Sequence, residues 1–176
     1  HITDEVIDRL AKLPSFCPQF HISLQSGCNN TLKAMNRHYS AEDYFELCQK
    51  LRASFPEATI TTDIMVGFPT ESEEDFAENV RFAQKIGFEK VHVFPYSPRE
   101  GTKAAKMPQI EKAIKEKRSH IMIEKTEEIR KIFLESQIGK TVEVLFETRH
   151  SDGFAEGYTK NYTPVKVKGE LPCGEI

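Results

Sequence analysis

Three short segments of alternating polar and apolar residues, separated by helical patterns, constrain the fold more than any other feature of this sequence. They span residues 20–27, 60–71 and 91–102, and each ends in a polar loop that contains glycine or proline. Parallel strands need a long, usually helical, connection, so this order predicts parallel pairing. Parallel strands covered on both faces normally read as unbroken apolar runs. The alternation therefore predicts that one face of the sheet lines a polar cavity, as at the loop end of an open or closed β/α barrel.

The alternation also assigns each side chain of these strands to one face of the sheet. Apolar residues such as Ile22, Ile64 and Val91 fall on one face, which we expect helices to cover. The opposite face is polar. Its predicted members are His21, Ser23 and Gln25 on the first strand, Thr61, Asp63 and Met65 on the second, and His92 and Phe94 on the third.

Capping signals predict the helices that flank the strands. A serine followed three residues later by an acidic residue is typical of a capping box at a helix N-terminus. A glycine readily takes the left-handed conformation in which many helices end. The predicted caps are Thr3 or Asp4 for a first helix, Ser40 with Asp43 for the helix before the second strand, Ser72 with Asp75 for the helix after it, and Gly87 for the end of that helix.

The last third of the chain changes character. Residues 108–136 form a long charged segment with regularly spaced apolar residues, which predicts a helix. Residues 141–147, 154–158 and 164–167 then read as short antiparallel strands with a turn at residues 151–153. The fold class is therefore α/β, with a small antiparallel β-domain after it.

We place the domain boundary after residue 137, which gives domains of residues 1–137 and 138–176. A β-domain of this size is small for independent stability. We therefore expect the second domain to be truncated.

The net charge and the hydropathy of the sequence argue against two classes of protein, dedicated nucleic-acid binders and membrane proteins. The net charge of −3 gives no overall basic field of the kind that dedicated nucleic-acid binders show. No apolar run approaches the roughly 18 residues of a membrane span, and no signal peptide is evident. We expect a soluble, cytoplasmic protein without a membrane partner.

The cysteines do not have the spacing of a metal site. Cys17, Cys28, Cys48 and Cys173 form no CxxC or CxxxCxxC pattern, so neither a zinc ribbon nor an iron–sulfur ligand set is predicted. We expect free thiols in a reducing compartment and no metal bound by this chain alone.

Polar residues at the strand ends are the candidate ligand-binding groups. Gln25 and Ser26 can hydrogen-bond a ligand, and Gly27 can allow its close approach, although an ordinary strand-to-helix turn would use the same residues. Asp63 can bind a hydroxyl pair or a cation, or can be an inward carboxylate satisfied by serine or histidine of the neighbouring strand. The segment 67–71 combines a glycine, a proline and a helix N-terminus, which suits an anionic or polar ligand group.

Basic residues offer further candidates. Arg37 can clamp a ligand carboxylate through two hydrogen bonds, or it can simply be solvated. Residues 99–118 contain seven Lys or Arg and three Glu, a local excess of positive charge that can meet phosphates or form a solvated helix face. Within this stretch, Arg99, Lys103 and Lys106 are the candidate RNA contacts.

Four motifs carry a resemblance to a known family. They are HISLQSGC at residues 21–28, MNRxY at 35–39, TTDIxVGFPxE at 61–71 and YSxRxGT at 96–102. In order and spacing they resemble those of the radical S-adenosylmethionine methylthiotransferases, the MiaB-like family. The sequences QSGC and VFPYSPREGT are most similar to those of the branch that methylthiolates threonylcarbamoyladenosine in tRNA.

The resemblance implies a fold and a cofactor site. It implies the last three βα units of a partial radical S-adenosylmethionine β/α barrel, followed by part of a TRAM-like RNA-binding β-barrel. It implies an enzyme that methylthiolates a modified adenosine in tRNA, with S-adenosylmethionine and [4Fe–4S] clusters as cofactors. The implied S-adenosylmethionine contacts are Gln25, Ser26, Arg37, Asp63 and the backbone near Gly67, Phe94 and Tyr96.

Two departures from the family pattern matter. Thr70 stands where the family usually has glycine, which affects the local loop. The cluster-binding CxxxCxxC loop is absent from this sequence. We therefore expect that the N-terminal half of the same polypeptide is missing, and that this chain contains no catalytic residue and is inactive alone. We also expect that such a half-barrel can pair with a second copy through its exposed strand edge.

Competing interpretations make different demands on the sequence. An aldolase-like or phosphate-binding barrel needs a lysine on a strand or a glycine-rich loop, but Lys90 precedes the predicted third strand and no Gly-x-Gly occurs. A non-catalytic RNA-binding or scaffold protein remains an alternative, as does methylthiolation of a ribosomal protein.

Overall fold

In the computed structural model of this protein, residues 2–169 and 171–174 are described. Contacts divide the chain into two compact units. We call residues 21–50 and 60–136 the central unit, and residues 1–20, 51–59 and 137–176 the terminal unit. The predicted domain boundary after residue 137 stays a prediction, and residues 170, 175 and 176 of the predicted second domain lie outside the described residues.

Helices and strands alternate through most of the chain, and the last three strands follow one another directly. In order, the elements are α1 (Asp4–Ala11), β1 (Gln19–His21), α2 (Asn29–Ala34), α3 (Ala41–Ser54), β2 (Thr59–Val66), α4 (Glu73–Ile86), β3 (Lys90–Pro95), a short 3₁₀ helix (Ala104–Lys106), α5 (Lys112–Glu135), β4 (Val144–Arg149), β5 (Phe154–Thr159) and β6 (Pro164–Lys168).

The first three strands form one sheet in the order β1-β2-β3. Strands β2 and β3 pair in parallel, with Asp63 beside His92 and Met65 beside Phe94. The predicted parallel pairing of these strands is therefore confirmed. The predicted faces of β2 are confirmed for Ile60, Ile64 and Val66, which are buried, and for Asp63 and Met65, which are not. Thr61, predicted on the polar face, is also buried.

Strand β1 is much shorter than the alternation predicted. The Oγ1 of Thr62 accepts a hydrogen bond from the Leu24 amide at 2.9 Å and donates one to the Ile22 carbonyl at 2.6 Å. Since a side chain takes the place of backbone groups there, the regular ladder stops after His21. Pairing resumes at one bridge, Gln25 to Ile64. The prediction that Gln25 continues the alternation is wrong, because its φ is +69°.

Helices cover the apolar face of the sheet and close a core within the central unit. The burial of these side chains is the main favourable contribution to folding of this unit, at about 25 cal/mol per Å² of apolar surface. The core consists of Leu24, Tyr44, Cys48, Ile60, Ile64, Val66, Phe76, Ala83, Ile86, Phe88, Met122 and Ile129.

The capping predictions are confirmed. In α4, the Ser72 hydroxyl accepts from the Asp75 amide at 3.0 Å, and the Asp75 carboxylate accepts from the Ser72 amide at 2.9 Å. The corresponding pair before α3 is present, and Thr3 caps α1. Helix α4 ends at Gly87, whose φ of +68° is left-handed.

Helix α5 has 24 residues and begins at Lys112, four residues after the start of the charged segment that predicted it. At a rise of ~1.5 Å per residue it is about 36 Å long. Within residues 2–169 and 171–174, none of the helices has the length and apolar character that a bilayer-crossing helix needs.

Strands β4, β5 and β6 form a second, antiparallel sheet in the terminal unit. Strand β4 begins at Val144 rather than at the predicted residue 141 and extends to Arg149. Gly157 is required in β5, because a Cβ there would lie 2.1 Å from the Leu145 carbonyl oxygen. The chain thus contains a parallel α/β sheet and a small antiparallel sheet, as predicted.

Candidate functional site

Asp63 on β2 is the centre of a hydrogen-bonded cluster on the polar face of the parallel sheet. Its Oδ2 accepts a hydrogen bond from Ser23 Oγ at 2.7 Å and lies 3.1 Å from His21 Nε2. The other ring nitrogen of His21 lies 3.0 Å from Thr61 Oγ1. Because both contacts of Asp63 converge on Oδ2, its Oδ1 retains the capacity to accept a hydrogen bond from a ligand.

The Asp63 carboxylate is charged at neutral pH and open to solvent. Burial raises its pKa, but the hydrogen bonds from Ser23 and His21 and the nearby histidine charges together lower the pKa below its usual value. The side chain is 28% exposed. Ser23 and His21 provide hydrogen bonds to one oxygen of this carboxylate, as in the interpretation of Asp63 as an inward carboxylate satisfied by its neighbours. The other oxygen still suits a cationic or hydroxyl ligand. Ligand binding by Asp63 stays a prediction.

Strand β3 completes this face. His92 lies beside Asp63 in the ladder, and its ring centroid is 6.1 Å from that of His21. Phe94 lies two residues nearer the loop end and is 51% exposed. Exposure of a phenylalanine next to a polar cluster is unusual, since burial of such a ring is favourable by about 1.5–3 kcal/mol. Phe94 is thus available to a planar ligand group.

The loop after β1 holds two predicted ligand residues in different environments. Gln25 is in the left-handed region, yet its amide donates to the Asp63 carbonyl at 2.9 Å and its carbonyl accepts from the Met65 amide at 2.8 Å. A left-handed residue other than glycine, held by such contacts, is frequent at binding sites. Ser26 is fully buried, and its Oγ accepts from the Cys28 amide at 3.2 Å. Its predicted cofactor contact stays a prediction.

Gly27 does not serve as the predicted point of close ligand approach. Its amide donates to Asn79 Oδ1 at 2.7 Å, and a Cβ at this position would lie 2.4 Å from the Cβ of Phe82. Both partners belong to α4. The glycine is needed because this helix packs directly against the loop.

The loop after β2 is a tight turn. The Glu71 amide donates to the Phe68 carbonyl at 2.9 Å, and Thr70 has a φ of +81°. A type II turn requires a positive φ at its third residue and favours proline at its second, which is Pro69 here. Thr70 therefore keeps the conformation that suits glycine, although a β-branched residue is strained there.

Gly67 at the start of this turn is buried with a φ of +71°. Its amide donates to Glu71 Oε1 at 2.9 Å. The N-terminus of α4 is occupied by the carboxylate of Asp75. Thus protein carboxylates accept hydrogen bonds from the Gly67 and Ser72 amides, in the segment where the sequence predicted room for an anionic ligand group.

Tyr96 lies in the loop after β3. Its amide donates to the Val66 carbonyl at 2.8 Å, and its ring packs edge-on against Phe68 at 5.1 Å. The side chain is buried. The loops after β2 and β3, which carry Gly67 and Tyr96, therefore contact each other directly.

Arg37 is exposed just after α2, and among the described residues no hydrogen bond or ion pair joins its side chain to the Asp63 cluster. Its segment is nevertheless tied to the loop after β1, because the Tyr39 hydroxyl donates a hydrogen bond to the Leu24 carbonyl at 2.8 Å. Burial raises the pKa of Tyr39, and the nearby Arg37 charge opposes that shift. A role of Arg37 in ligand binding remains a prediction.

The candidate RNA contacts lie on one exposed segment beyond β3. Arg99, Lys103 and Lys106 are all exposed, and Lys103 precedes the 3₁₀ helix that Lys106 ends. The Thr102 hydroxyl donates to the Arg99 carbonyl at 2.8 Å, which orders the turn between them. Their predicted role stays untested.

Sequence reasoning missed Arg118 on α5. It is 4% exposed and forms an ion pair with Glu71 at 2.8 Å. Burial raises the pKa of Glu71, while the Gly67 amide and the Arg118 charge oppose the shift. One signal was available: Arg118 has the spacing of the buried stripe of α5, four residues before Met122. A charge within such a stripe indicates a buried partner.

The cysteines do not suit an iron–sulfur cluster. Cys17 and Cys173 are exposed, whereas Cys28 and Cys48 are buried. Burial is the largest influence that raises the pKa of Cys28 to about 11, and its thiol donates to Asp75 at 3.2 Å. The thiol of Cys28 and the carboxylates of Asp75 and Glu78 lie within 4.8 Å of one another, but this group contains a single thiol, whereas iron–sulfur clusters are held by several Cys thiolates.

Comparison with known families matches two parts of the chain. Residues 1–83 match the model of the radical SAM superfamily, and residues 135–176 match that of the TRAM domain. A tRNA-2-methylthio-N(6)-dimethylallyladenosine synthase of Mycobacteroides abscessus is 42% identical over 170 residues, 96% of this chain and 33% of that protein. The chain belongs to the MiaB-like methylthiotransferase family.

Members of two branches of this family are similar to the chain. The threonylcarbamoyladenosine tRNA methylthiotransferase MtaB of Rickettsia prowazekii is 38% identical over 175 residues, 99% of this chain and 40% of that protein. MtaB of Bacillus subtilis is 36% identical over 173 residues, 96% of this chain and 38% of that protein. The chain thus spans about a third to two fifths of the length of these curated relatives.

Proposed function

We propose that this chain is part of a radical S-adenosylmethionine enzyme that methylthiolates a modified adenosine in tRNA. In this proposal the central unit is part of a β/α barrel and supplies part of the S-adenosylmethionine site. One observation carries it: the Asp63 cluster, with Oδ1 open, lies on the same sheet face as the exposed Phe94. The functions of the relatives described above support the reaction class.

The chemistry of S-adenosylmethionine fits this face. The molecule carries a sulfonium and an ammonium charge, a ribose diol and a flat adenine ring. Asp63 offers an ionised carboxylate to the cationic or hydroxyl groups, and Phe94 offers a ring face to the adenine. Gln25, Ser26, Arg37 and the backbone near Gly67 and Tyr96 are proposed to complete the site.

The cofactor supplies chemistry that side chains cannot provide. Bound beside a [4Fe–4S] cluster, S-adenosylmethionine is a source of radical and methyl-transfer reactivity. The residues of this chain would bind and orient it. Because the four cysteines have no CxxxCxxC spacing, we propose that the cluster ligands come from outside these 176 residues.

The RNA contacts are proposed on two surfaces, each within its own unit. Arg99, Lys103 and Lys106 place positive charge on one exposed segment, which suits phosphate binding. In the terminal unit, the exposed Tyr162 stacks on Tyr158 with ring centroids 4.4 Å apart, and such a ring suits stacking on a base.

We also propose that the protein belongs to the branch that methylthiolates threonylcarbamoyladenosine in tRNA, and that it is located in the cytoplasm.

Titration of the ¹⁵N-labelled chain with S-adenosylmethionine, followed by NMR, tests the cofactor site and detects even millimolar affinity. We expect shift changes centred on Asp63, Gly67 and Phe94. Asp63→Asn should weaken binding at least tenfold, since a hydrogen bond to a charged group contributes about 1.5–3 kcal/mol. Asp8→Asn, on the exposed face of α1, is the matched control and should bind like the unmodified chain.

Two results would overturn the cofactor proposal: no shift changes at millimolar ligand, or equal affinity of the chain and Asp63→Asn. The RNA proposal is tested separately by filter binding of tRNA at several salt concentrations. Replacing Arg99, Lys103 and Lys106 by alanine should reduce the salt dependence of binding, by up to about one unit of slope for each lost phosphate contact. An unchanged slope would contradict their role.

A further inference from the structure

Arg118 of α5 holds the loop after β2 from within the protein. Its Nη1 donates to the carbonyl oxygen of Glu71 at 3.0 Å and to Glu71 Oε1 at 2.8 Å. Its Nη2 donates to Glu73 Oε1 at 2.7 Å. Glu71 Oε1 also accepts from the Gly67 amide at 2.9 Å, so the guanidinium is linked to Gly67 through a single carboxylate oxygen.

Lys115 lies one turn before Arg118 on the same helix and contacts both loops. Its Nζ donates to the Tyr96 carbonyl oxygen at 3.1 Å. A Cβ on Gly67 would lie 2.3 Å from the Cγ of Lys115, so the lysine stem packs directly on the glycine. Residues three apart share a helix face, and this face therefore contacts the loop after β2 and the loop after β3 together.

The chemistry of this contact is not what stability alone favours. An apolar pair of similar volume often serves a protein core as well as a buried ion pair, or better, by about 1–4 kcal/mol. This pair is also incompletely satisfied, since Glu71 Oε2 and Arg118 Nε have no hydrogen-bond partner among the described residues. Unlike an apolar pair, the ion pair forms directional hydrogen bonds. These bonds fix where the Glu71 and Gly67 backbones lie.

We propose that Lys115 and Arg118 are positioning residues, which hold the loops after β2 and β3 in the geometry that the S-adenosylmethionine site needs. The inference rests on the proposed function for the identity of the ligand. Neither residue touches the cofactor in this proposal. Each acts through a loop, Arg118 through Glu71 on Gly67, and Lys115 through the carbonyl of Tyr96.

Amide hydrogen exchange and S-adenosylmethionine binding of the 176-residue chain test the proposal together. Arg118→Met should destabilise the chain, because it leaves Glu71 buried and unpaired. The double variant Glu71→Met/Arg118→Met should regain thermal stability but not loop order. We expect amides of residues 67–71 to exchange faster than in the unmodified chain, and the Kd to rise about tenfold, the size of effect that lost supporting contacts have around metal ligands.

Lys115→Met isolates the second contact, since methionine keeps the stem on Gly67 and removes the ammonium group. We expect nearly unchanged thermal stability, faster exchange in residues 96–102 and a Kd raised several-fold. Lys112→Met is the matched control on the same helix. Lys112 is exposed and forms an ion pair with Glu116 at 3.5 Å. We therefore expect the amide exchange of both loops and the Kd to stay as in the unmodified chain.

The outcomes separate this inference from the proposed function. If the double variant regains stability, loop exchange and affinity together, the ion pair is merely structural and the inference is overturned. If Lys115→Met and Lys112→Met show the same amide exchange rates and the same Kd, the role of Lys115 is overturned. If the unmodified chain binds no S-adenosylmethionine while the loops respond as expected, the positioning stands and the ligand assignment fails.

Discussion

Each unit contains a buried polar group of a different kind. In the central unit, one such group is an ion pair, Arg118 with Glu71, and parts of both side chains lack hydrogen-bond partners among the described residues. In the terminal unit, one such group is the neutral amide of Asn161. Its Nδ2 donates to the Glu57 carbonyl at 2.7 Å, and its backbone carbonyl accepts from Thr59 Oγ1 at 2.6 Å.

The Asn161 amide is satisfied on both sides. Its Oδ1 accepts hydrogen bonds from the hydroxyls of Thr159 and Thr163. A neutral group whose oxygen and nitrogen are both hydrogen-bonded is inexpensive to bury, whereas a charge is costly unless geometry compensates. The difference indicates that the terminal network serves stability, and that the central ion pair is retained for the placement of the loops it contacts.

The largest expected effect is the loss of one partner of the ion pair. Arg118→Met should lower the free energy of unfolding by about 3–5 kcal/mol, because Glu71 then stays buried without a counter-charge. Urea denaturation followed by circular dichroism measures it. Glu71→Met/Arg118→Met should recover most of the loss, and a double variant as unstable as the single one would break the comparison.

Asn161→Ala should have a smaller effect. It removes three hydrogen bonds of a neutral side chain and should cost about 1–3 kcal/mol. Since none of these groups titrates, the cost should be the same at pH 5 and pH 8. Urea midpoints of both proteins at the two pH values measure it, and a cost that varies with pH would show that the network is coupled to a charge.

Asp75 should give the central unit an acid-sensitive contribution to stability. Burial raises its pKa, but hydrogen bonds from Ser72, Asn30 and Cys28 outweigh burial and lower the pKa from 3.8 to about 2. A carboxyl whose pKa is lowered by folding stabilises above its unfolded pKa, and the contribution is lost as pH falls from about 4 to about 2.

Asp75→Asn tests this. The variant should lose about 1 kcal/mol at pH 7, as expected for a weakened helix cap, and the difference from the unmodified chain should vanish near pH 2. Thermal unfolding between pH 2 and pH 7 is the measurement. A difference that persists undiminished at pH 2 would contradict the assignment.

The smallest effect, and the only gain, is expected at Thr70. Relief of the left-handed strain is worth about 1–2 kcal/mol, and the greater freedom of glycine in the unfolded chain costs roughly 0.5–1 kcal/mol. Thr70→Gly should therefore stabilise by about 0.5 kcal/mol. Thr70→Ala is the control and should not stabilise, because alanine also disfavours a positive φ. Equal unfolding midpoints for Thr70→Gly and Thr70→Ala would contradict the strain.

Local signals predicted well. The capping boxes that start α3 and α4 and the glycine that ends α4 join residues at most four apart, so a short stretch of sequence contains the whole interaction. The alternation in β2 and β3 predicted their faces for the same reason. The cofactor residues proposed from the resemblance include Asp63 and Phe94, which the fold brings to one sheet face.

Contacts between distant segments could not be predicted in this way. Thr62 interrupts β1 through a side chain 38 residues from Leu24, and Gly27 packs on a helix that begins far along the chain. The link between Glu71 and Arg118 spans 47 residues. A local pattern can indicate that a residue such as Arg118 is buried, but it does not identify the distant partner.

The sequence by itself determined the helices with their caps, the parallel order of strands and the family, because each depends on the spacing of residues close along the chain. Only the tertiary structure decided which polar groups meet. It turned a serine and a histidine towards Asp63 and buried one arginine of a charged helix under the loop after β2. The physical reason is that the cost of burying charge depends on partners that the fold alone brings together.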